Sequence, residues 1–175
     1  MILARESNPE REVVITRLID VPRERLFRAW TDPVHLMKWW GPHGFTVPVC
    51  ELDLRPGGAY RIVMRGPDGT DYPVKGVYRE IAPPERLVMT DNCSELPEQW
   101  HDQLNPGRDR VAGRPALETL STVIFEQQGE RTKLTIRSLF KSASLRDAMV
   151  GMGRIEGWTE SLEKLESLLA PEKAA

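Results

Sequence analysis

A long run near the carboxyl end, residues 144–169, carries apolar side chains at steps of three and four. In a helix this spacing puts them on one face, and the segment is ~39 Å long at ~1.5 Å per residue. Such a stripe must be buried against an element of similar length, which favours a sheet. The sequence therefore predicts an α+β protein with one long C-terminal helix, Ser144 being near its cap. The stripe consists of Ala148, Gly151, Ile155, Trp158, Leu162, Leu165 and Leu169, widened by Leu145, Met149 and Met152.

Strand-like segments precede this helix, separated by short turns rich in glycine and proline. Gly66-Pro67-Asp68-Gly69 has the pattern of a type I turn, and links of this length join only antiparallel neighbours. We therefore expect a curved antiparallel sheet of about seven strands wrapped around the C-terminal helix. The predicted strands are residues 12–20, 45–54, 59–65, 73–81, 86–91, 118–127 and 132–140.

Two short helices are predicted between the first and second strands. Pro22 suits a first helical turn, and Asp32-Pro33 repeats the start signal before a second apolar face that ends at Gly41-Pro42. The segment 93–116 differs, being polar, rich in proline and too long for a hairpin turn. We expect a loop insertion that acts as a lid, with a short helix in 94–104 anchored by Trp100.

The overall composition excludes several classes of protein. The net charge of −2 provides no field for nucleic acid, and no apolar run is long enough to span a membrane. Cys50 and Cys93 are too few for a disulfide framework, and the charged amino end has no apolar targeting core. We expect a cytoplasmic protein with one domain over 1–175 and a core over 12–169.

Metal and nucleophile signatures are missing from the sequence. His35, His43 and His101 form no closely spaced ligand pair with one another or with cysteine, so we predict no metal and no cofactor. There is no Gly-x-Ser-x-Gly elbow. Cys93 with His101 is the one pair with the chemistry of a thiolate nucleophile, which requires hydrogen-bond contact between them.

Several motifs occur in a recognisable order. They are Phe27-Arg28-Ala29-Trp30-Thr31-Asp32-Pro33, Trp39-Trp40-Gly41-Pro42, Gly57-Gly58, Gly66-Pro67-Asp68-Gly69, Gly76-Val77-Tyr78, Pro84-Glu85-Arg86-Leu87 and Gly157-Trp158. Their order resembles proteins related to the activator of the heat-shock protein 90 ATPase, within the START-like superfamily of helix-grip folds. That superfamily also includes lipid-transfer domains, pollen allergens and polyketide cyclases.

The resemblance implies a cavity between the sheet and the long helix, and hence binding of a small hydrophobic or amphipathic molecule. Two alternatives stay open. One is a polyketide-cyclase-like enzyme that uses polar groups among Tyr60, Tyr78, Arg137 and His101. The other is a chaperone-associated interaction module. The co-chaperone that names the family has a separate N-terminal chaperone-binding domain, whereas here the pattern begins near Met1, so a ligand is favoured over a chaperone partner.

Aromatic, methionine and glycine positions supply the candidate cavity residues. Methionine suits adaptable binding surfaces, and Gly151 interrupts the helical stripe, which leaves room for a guest. One of Trp39 and Trp40 is expected to plug one end of the sheet. The role of the other stays open between the same plug and a place at the cavity mouth, opposite Trp100. The candidates are Trp39, Trp40, Tyr60, Ile62, Met64, Tyr78, Met89, Trp100, Phe125, Met149, Gly151, Met152, Ile155 and Trp158.

Overall fold

The fold was analysed in a computed structural model that describes residues 8–171. Within these residues there are seven strands and five helices. The strands are β1 (Glu12–Ile19), β2 (Thr46–Leu52), β3 (Ala59–Arg65), β4 (Asp71–Ala82), β5 (Arg86–Asp91), β6 (Thr119–Gln128) and β7 (Arg131–Leu139). The helices are α1 (Arg23–Thr31), α2 (Pro33–Trp39), α3 (Glu98–Leu104), α4 (Ala143–Gly151) and α5 (Arg154–Leu169).

All seven strands form one curved antiparallel sheet. Its order is β1-β7-β6-β5-β4-β3-β2, so that β1 and β2 are the two edges. Each strand from β2 to β6 pairs with the next in sequence, and β1 pairs with β7 along its whole length, from Glu12 with Leu139 to Ile19 with Thr132. The predicted sheet and fold class are confirmed.

The two short helices lie between β1 and β2, as predicted. The Asp32 side chain accepts a hydrogen bond from the backbone N–H of Val34 and caps α2 at its first turn. Leu26 and Trp30 on α1 and Leu36 on α2 are buried in the core. Within residues 8–171 no helix is long and apolar enough to cross a membrane.

The C-terminal helix is present, but its predicted continuity from 144 to 169 is wrong. The chain forms α4 and α5 instead, with a break at Met152 and Gly153, where Gly153 has a φ of +92°. This left-handed conformation is accessible to glycine at little cost and cannot continue a helix. The cap is also displaced, since Ser142 rather than Ser144 accepts from the N–H of Leu145.

The main core fills the concave side of the sheet. Leu162, Leu165 and Leu169 of α5 pack there with buried residues of the sheet and of α1 and α2. Arg17 on β1 makes a two-pronged ion pair with Glu166 on α5, with N–O distances of 2.9 and 3.0 Å, and so ties the helix to the edge strand.

A second, smaller apolar cluster joins the insertion to the rest of the fold. Cys93, Leu96 and Trp100 pack with Phe140 and with Met149 of α4. The insertion helix is shorter than predicted, and Pro97 rather than Ser94 precedes it. Beyond it the chain is largely exposed, with Val111 at 96%.

Candidate functional site

A cavity of about 190 Å³ lies between the concave face of the sheet and the first turns of α5. The sheet contributes residues from β3, β4 and the end of β5, and the loop after α2 closes one side. Its lining residues are Trp40, Gly41, Pro42, Met64, Val74, Asp91, Cys93, Arg154, Gly157, Trp158 and Ser161.

One wall of the cavity is built from tryptophan. Trp158 of α5 stacks on Trp30 at 5.7 Å between ring centroids and meets Trp40 edge-on at 5.2 Å. Trp39 packs behind Trp40 and donates its indole N–H to the carbonyl of Ala29 at 3.0 Å. These four rings hold one another in fixed orientations, so the wall is a rigid apolar surface.

The floor of the cavity is polar and buried. Asp91 accepts a hydrogen bond from the Tyr60 hydroxyl and another, at 2.8 Å, from the Ser121 hydroxyl. The Tyr60 hydroxyl also lies 2.7 Å from the carbonyl oxygen of Thr90, so its single proton is shared between two acceptors. Burial, together with the charge of Asp91, raises the pKa of Tyr60 well above its ordinary value, so its hydroxyl keeps its proton and acts as a donor.

Arg154, the first residue of α5, faces Asp91 across this floor. Its guanidinium lies 3.8 Å from the Asp91 carboxylate and donates to the Ser138 hydroxyl at 3.2 Å. The guanidinium carbon also lies 5.1 Å from the centre of the Phe140 ring, a cation–π contact that fixes its position. The exposed fractions of the two side chains are 18% for Arg154 and 14% for Asp91.

Cys93 borders the same floor as a neutral thiol. Burial and the nearby Asp91 carboxylate raise the pKa of Cys93 to about 12, against an opposing effect of Arg154. An activated cysteine nucleophile has a lowered pKa. His101 supplies no base for this thiol, because neither ring nitrogen has a hydrogen-bond partner among residues 8–171.

The cavity mouth is held by contacts between α5 and the loop after α2. Lys164 donates to the carbonyl oxygen of Gly41 at 3.2 Å, and His43 pairs with Glu163 at 2.8 Å. Burial lowers the pKa of Lys164. These contacts fix Gly41 and Pro42 against the helix and set the width of the mouth.

Three of the predicted cavity residues, Trp40, Met64 and Trp158, line the cavity. Trp39 is fully buried behind Trp40 and plugs the sheet, which separates the roles of the two tryptophans. The remaining buried candidates pack as core around the cavity rather than lining it. They are Tyr60, Ile62, Tyr78, Met89 and Phe125.

Five further candidates lie away from the cavity. Gly151 is exposed, and an added Cβ there would meet no atom within 4 Å among residues 8–171. Ile155 is 40% exposed and Met152 half-buried, because the break at Gly153 changes which side of the helix faces the sheet. Met149 and Trp100 pack in the second cluster, so Trp100 does not stand opposite Trp40.

The polar groups suggested for an enzyme do not converge. Arg137 on β7 pairs with Glu12 at 3.1 Å, and His101 is buried in the insertion. Tyr78 packs against Tyr60 at 5.5 Å between rings, and Tyr60 is linked to the cavity through its hydrogen bond to Asp91.

Sequence reasoning missed the residues that give the cavity its chemistry, Asp91, Arg154 and Gly157. Asp91 ends a six-residue strand whose four central residues are buried, and Arg154 follows a glycine that breaks the helix. The pair Gly151 and Gly153 was the available signal for that break, since two glycines so close weaken a helix.

A larger concave region of about 590 Å³ lies across β2, β3 and β4, but it differs in character. Glu51, Arg61 and Lys75 are neighbours on these strands, and Arg61 is paired with Glu95 outside the core. Five of its twelve lining residues are charged, against two of eleven in the cavity beside α5, whereas a ligand pocket has only a few placed polar groups. Among residues 8–171 no cluster of three or more histidine, cysteine or acidic residues is arranged to hold a metal ion.

The profile of a known family, described as Activator of Hsp90 ATPase homolog 1-like protein, matches residues 20–170. The chain belongs to this family. The match runs from the end of β1 to the end of α5 and so includes every residue that lines the cavity.

Solved structures of bacterial proteins share the fold along nearly the whole chain. A protein from Nitrosomonas europaea is 26% identical, with a TM-score of 0.76 over 93% of this chain and 96% of its own. A protein from Arthrobacter aurescens is also 26% identical, with a TM-score of 0.76 over 100% of this chain and 96% of its own. The AHSA1 protein from Silicibacter pomeroyi is 27% identical, with a TM-score of 0.70 over 93% and 99%. No curated protein matches the chain.

Proposed function

We propose that the protein binds a small amphipathic ligand in the cavity between the sheet and α5. The observation that supports this most directly is the combination of an aromatic wall with a partly buried charge pair. Trp40 and Trp158 form the wall, and Asp91 and Arg154 the polar end. Pockets for small molecules are typically apolar with a few oriented polar groups.

The charge pair is difficult to explain as a device for stability alone. Removing two charges from water costs several kcal/mol per ion, and apolar residues of similar volume often serve a core equally well. The 3.8 Å separation of Arg154 from Asp91 is also too long for a hydrogen bond. A loose pair beside a cavity is better suited to recognising a polar group.

The cavity also favours ligand binding over the interaction-module alternative, for which a filled core is expected. For the enzyme alternative, the neutral Cys93 thiol and the scattered polar candidates provide no support. The proposal further takes residues 12–169 as one domain of a cytoplasmic protein, in keeping with the free thiols of Cys50 and Cys93.

Native mass spectrometry of freshly purified protein tests the proposal. We expect a population that carries a non-covalent small molecule, released on collisional activation. The control is the same protein after unfolding, dialysis and refolding, which should show the mass of the chain alone. Identical spectra before and after this treatment, together with no quenching of tryptophan fluorescence by added aromatic compounds, would contradict ligand binding.

A further inference from the structure

The two charged groups on the cavity floor differ in how far their hydrogen-bonding capacity is used. Each carboxylate oxygen of Asp91 already accepts from a hydroxyl, one from Tyr60 and the other from Ser121. Arg154 has five N–H donors and, within residues 8–171, makes one side-chain hydrogen bond, to Ser138 at 3.2 Å. Its buried Nε has no partner among residues 8–171. The floor therefore has more donors to offer than acceptors.

The backbone around Arg154 adds to this excess of donors. Arg154 opens α5, whose first N–H groups lack partners within the helix, and Gly153 provides no side-chain cap. Arg154 and Gly157 both line the cavity, so the amino end of the helix lies at its edge. The partial positive charge of a helix amino end favours an electron-rich group there.

The size and wall of the cavity limit the rest of the ligand. An apolar cavity of about 150 Å³ suffices for benzene, so about 190 Å³ accommodates one ring with a short substituent. Trp40 and Trp158 offer aromatic surface, against which an aromatic ring packs better than a flexible chain.

From these observations we propose that the ligand is a single-ring aromatic compound whose polar end is an oxygen acceptor, a carboxylate or a neutral carbonyl, and that Arg154 binds this end. This inference rests on the proposed function and specifies its ligand class. Asp91 keeps the guanidinium in place and does not itself contact the ligand's polar group.

Four fluorinated probes separate the possibilities in ¹⁹F NMR titrations of the refolded protein. They are 4-fluorophenylacetate, 4-fluoroacetophenone, 4-fluorotoluene and 4-fluorobenzylamine, which carry a carboxylate, a neutral carbonyl, no polar group and a cation. We expect the carboxylate or the carbonyl to bind at least tenfold more tightly than the hydrocarbon and the cation. Their ratio identifies which acceptor is preferred. Tightest binding of the cation would assign recognition to Asp91 and overturn the inference.

Substitution of Arg154 tests whether this residue causes the preference for the acceptor probes. Arg154→Met keeps an apolar stem over Phe140 and should abolish the tenfold preference, because the acceptor probes lose their hydrogen-bond donor. Arg137→Met removes an arginine outside the cavity and should keep the preference. If Arg154→Met does not fold, the comparison of the four probes on the parent protein still tests whether the ligand's polar end is an acceptor.

Failure of the inference is distinguishable from failure of the proposed function. Binding of 4-fluorotoluene as tight as that of the acceptors contradicts the inference and leaves a ligand-binding cavity. An unchanged preference in Arg154→Met also contradicts it. Absence of binding for all four probes overturns both.

Discussion

Gly153 and Arg154 show how one backbone angle sets the chemistry of a cavity. With a φ of +92°, Gly153 ends α4 and starts α5 in a new direction. Arg154 then faces the sheet near Asp91, and one turn later Gly157 leaves space beside Pro42, where an added Cβ would be in ordinary contact at 3.7 Å. A continuous helix would have placed other residues on this side.

His101 is a residue whose burial has a measurable consequence for stability. It is 1% exposed, and burial lowers its pKa, with further lowering from Arg108 and Arg114; the carbonyl of Cys93 and the charge of Asp102 oppose the shift. The unfolded chain takes up a proton at this ring below about pH 6.5, whereas the folded protein does so only at lower pH. The free energy of unfolding should therefore fall as the pH drops from 7 through that window.

The substitution His101→Leu tests this prediction. It removes the titrating ring, whose two nitrogens have no hydrogen-bond partner within residues 8–171, so stability at pH 7 should stay level or rise by about 1–3 kcal/mol. The free energy of unfolding, measured in urea, should fall less between pH 7 and pH 5 in this variant than in the parent. His35→Gln, at a half-exposed site, should show the same decrease as the parent. A decrease in His101→Leu equal to that of the parent would contradict the burial of a neutral ring.

At the scale of elements, α5 contributes Leu162, Leu165 and Leu169 to the core, beside six buried residues of α1 and α2. Leu162 is fully buried, and Leu162→Ala should lower the free energy of unfolding by about 2–5 kcal/mol. Ile155→Ala on the same helix is the matched control, since Ile155 is 40% exposed and should cost far less. Equal decreases in the free energy of unfolding for the two variants, measured by denaturant unfolding, would contradict the orientation of the helix.

The insertion should divide into a packed part and an exposed part. Cys93, Leu96 and Trp100 are packed in the second cluster, and Arg108 is held by Asp102 with its side chain only 5% exposed. Limited trypsin digestion should cut first at Arg110 rather than at Arg108. First cleavage within the sheet would show that the whole insertion is firmly packed.

The sheet could be predicted from the sequence because each strand has a local residue pattern that indicates it. The predicted boundaries of β3 and β5 agree with the structure, since alternating or β-branched residues there are bounded by clear turns. The break in the C-terminal helix was missed because apolar spacing continues through Gly153, and spacing alone does not reveal a positive φ.

The cavity was predictable in its apolar wall but not in its polar floor. Trp40, Met64 and Trp158 are aromatic or flexible apolar residues at positions that face the sheet or helix. Asp91 and Arg154 are distant in sequence, and their pairing depends on the register of β5 and the start of α5. Such a contact cannot be predicted from a local pattern of residues.

At the scale of the whole molecule, the cavity lies between two apolar clusters. The main core contains the tryptophan wall, and the second cluster contains Cys93, which borders the floor, and Phe140 beneath Arg154. A ligand that contacts both Trp158 and Arg154 would therefore bridge the two clusters. Ligand binding to the folded state should accordingly raise the melting temperature.

The central claim, that the space beside α5 is a ligand cavity, is tested most directly by a leucine placed at each of two glycines. Gly157→Leu puts a side chain into the cavity, whereas Gly151→Leu puts it on the exposed end of α4. Both remove a glycine from a helix, which favours stability by up to about 1 kcal/mol. The parent and each variant are titrated with 4-fluorotoluene, and we expect binding to be lost in Gly157→Leu and retained in Gly151→Leu. Thermal melts should show that neither variant is destabilised. Retained binding in Gly157→Leu, or a strongly destabilised Gly157→Leu beside a parent that binds no probe, would contradict the account.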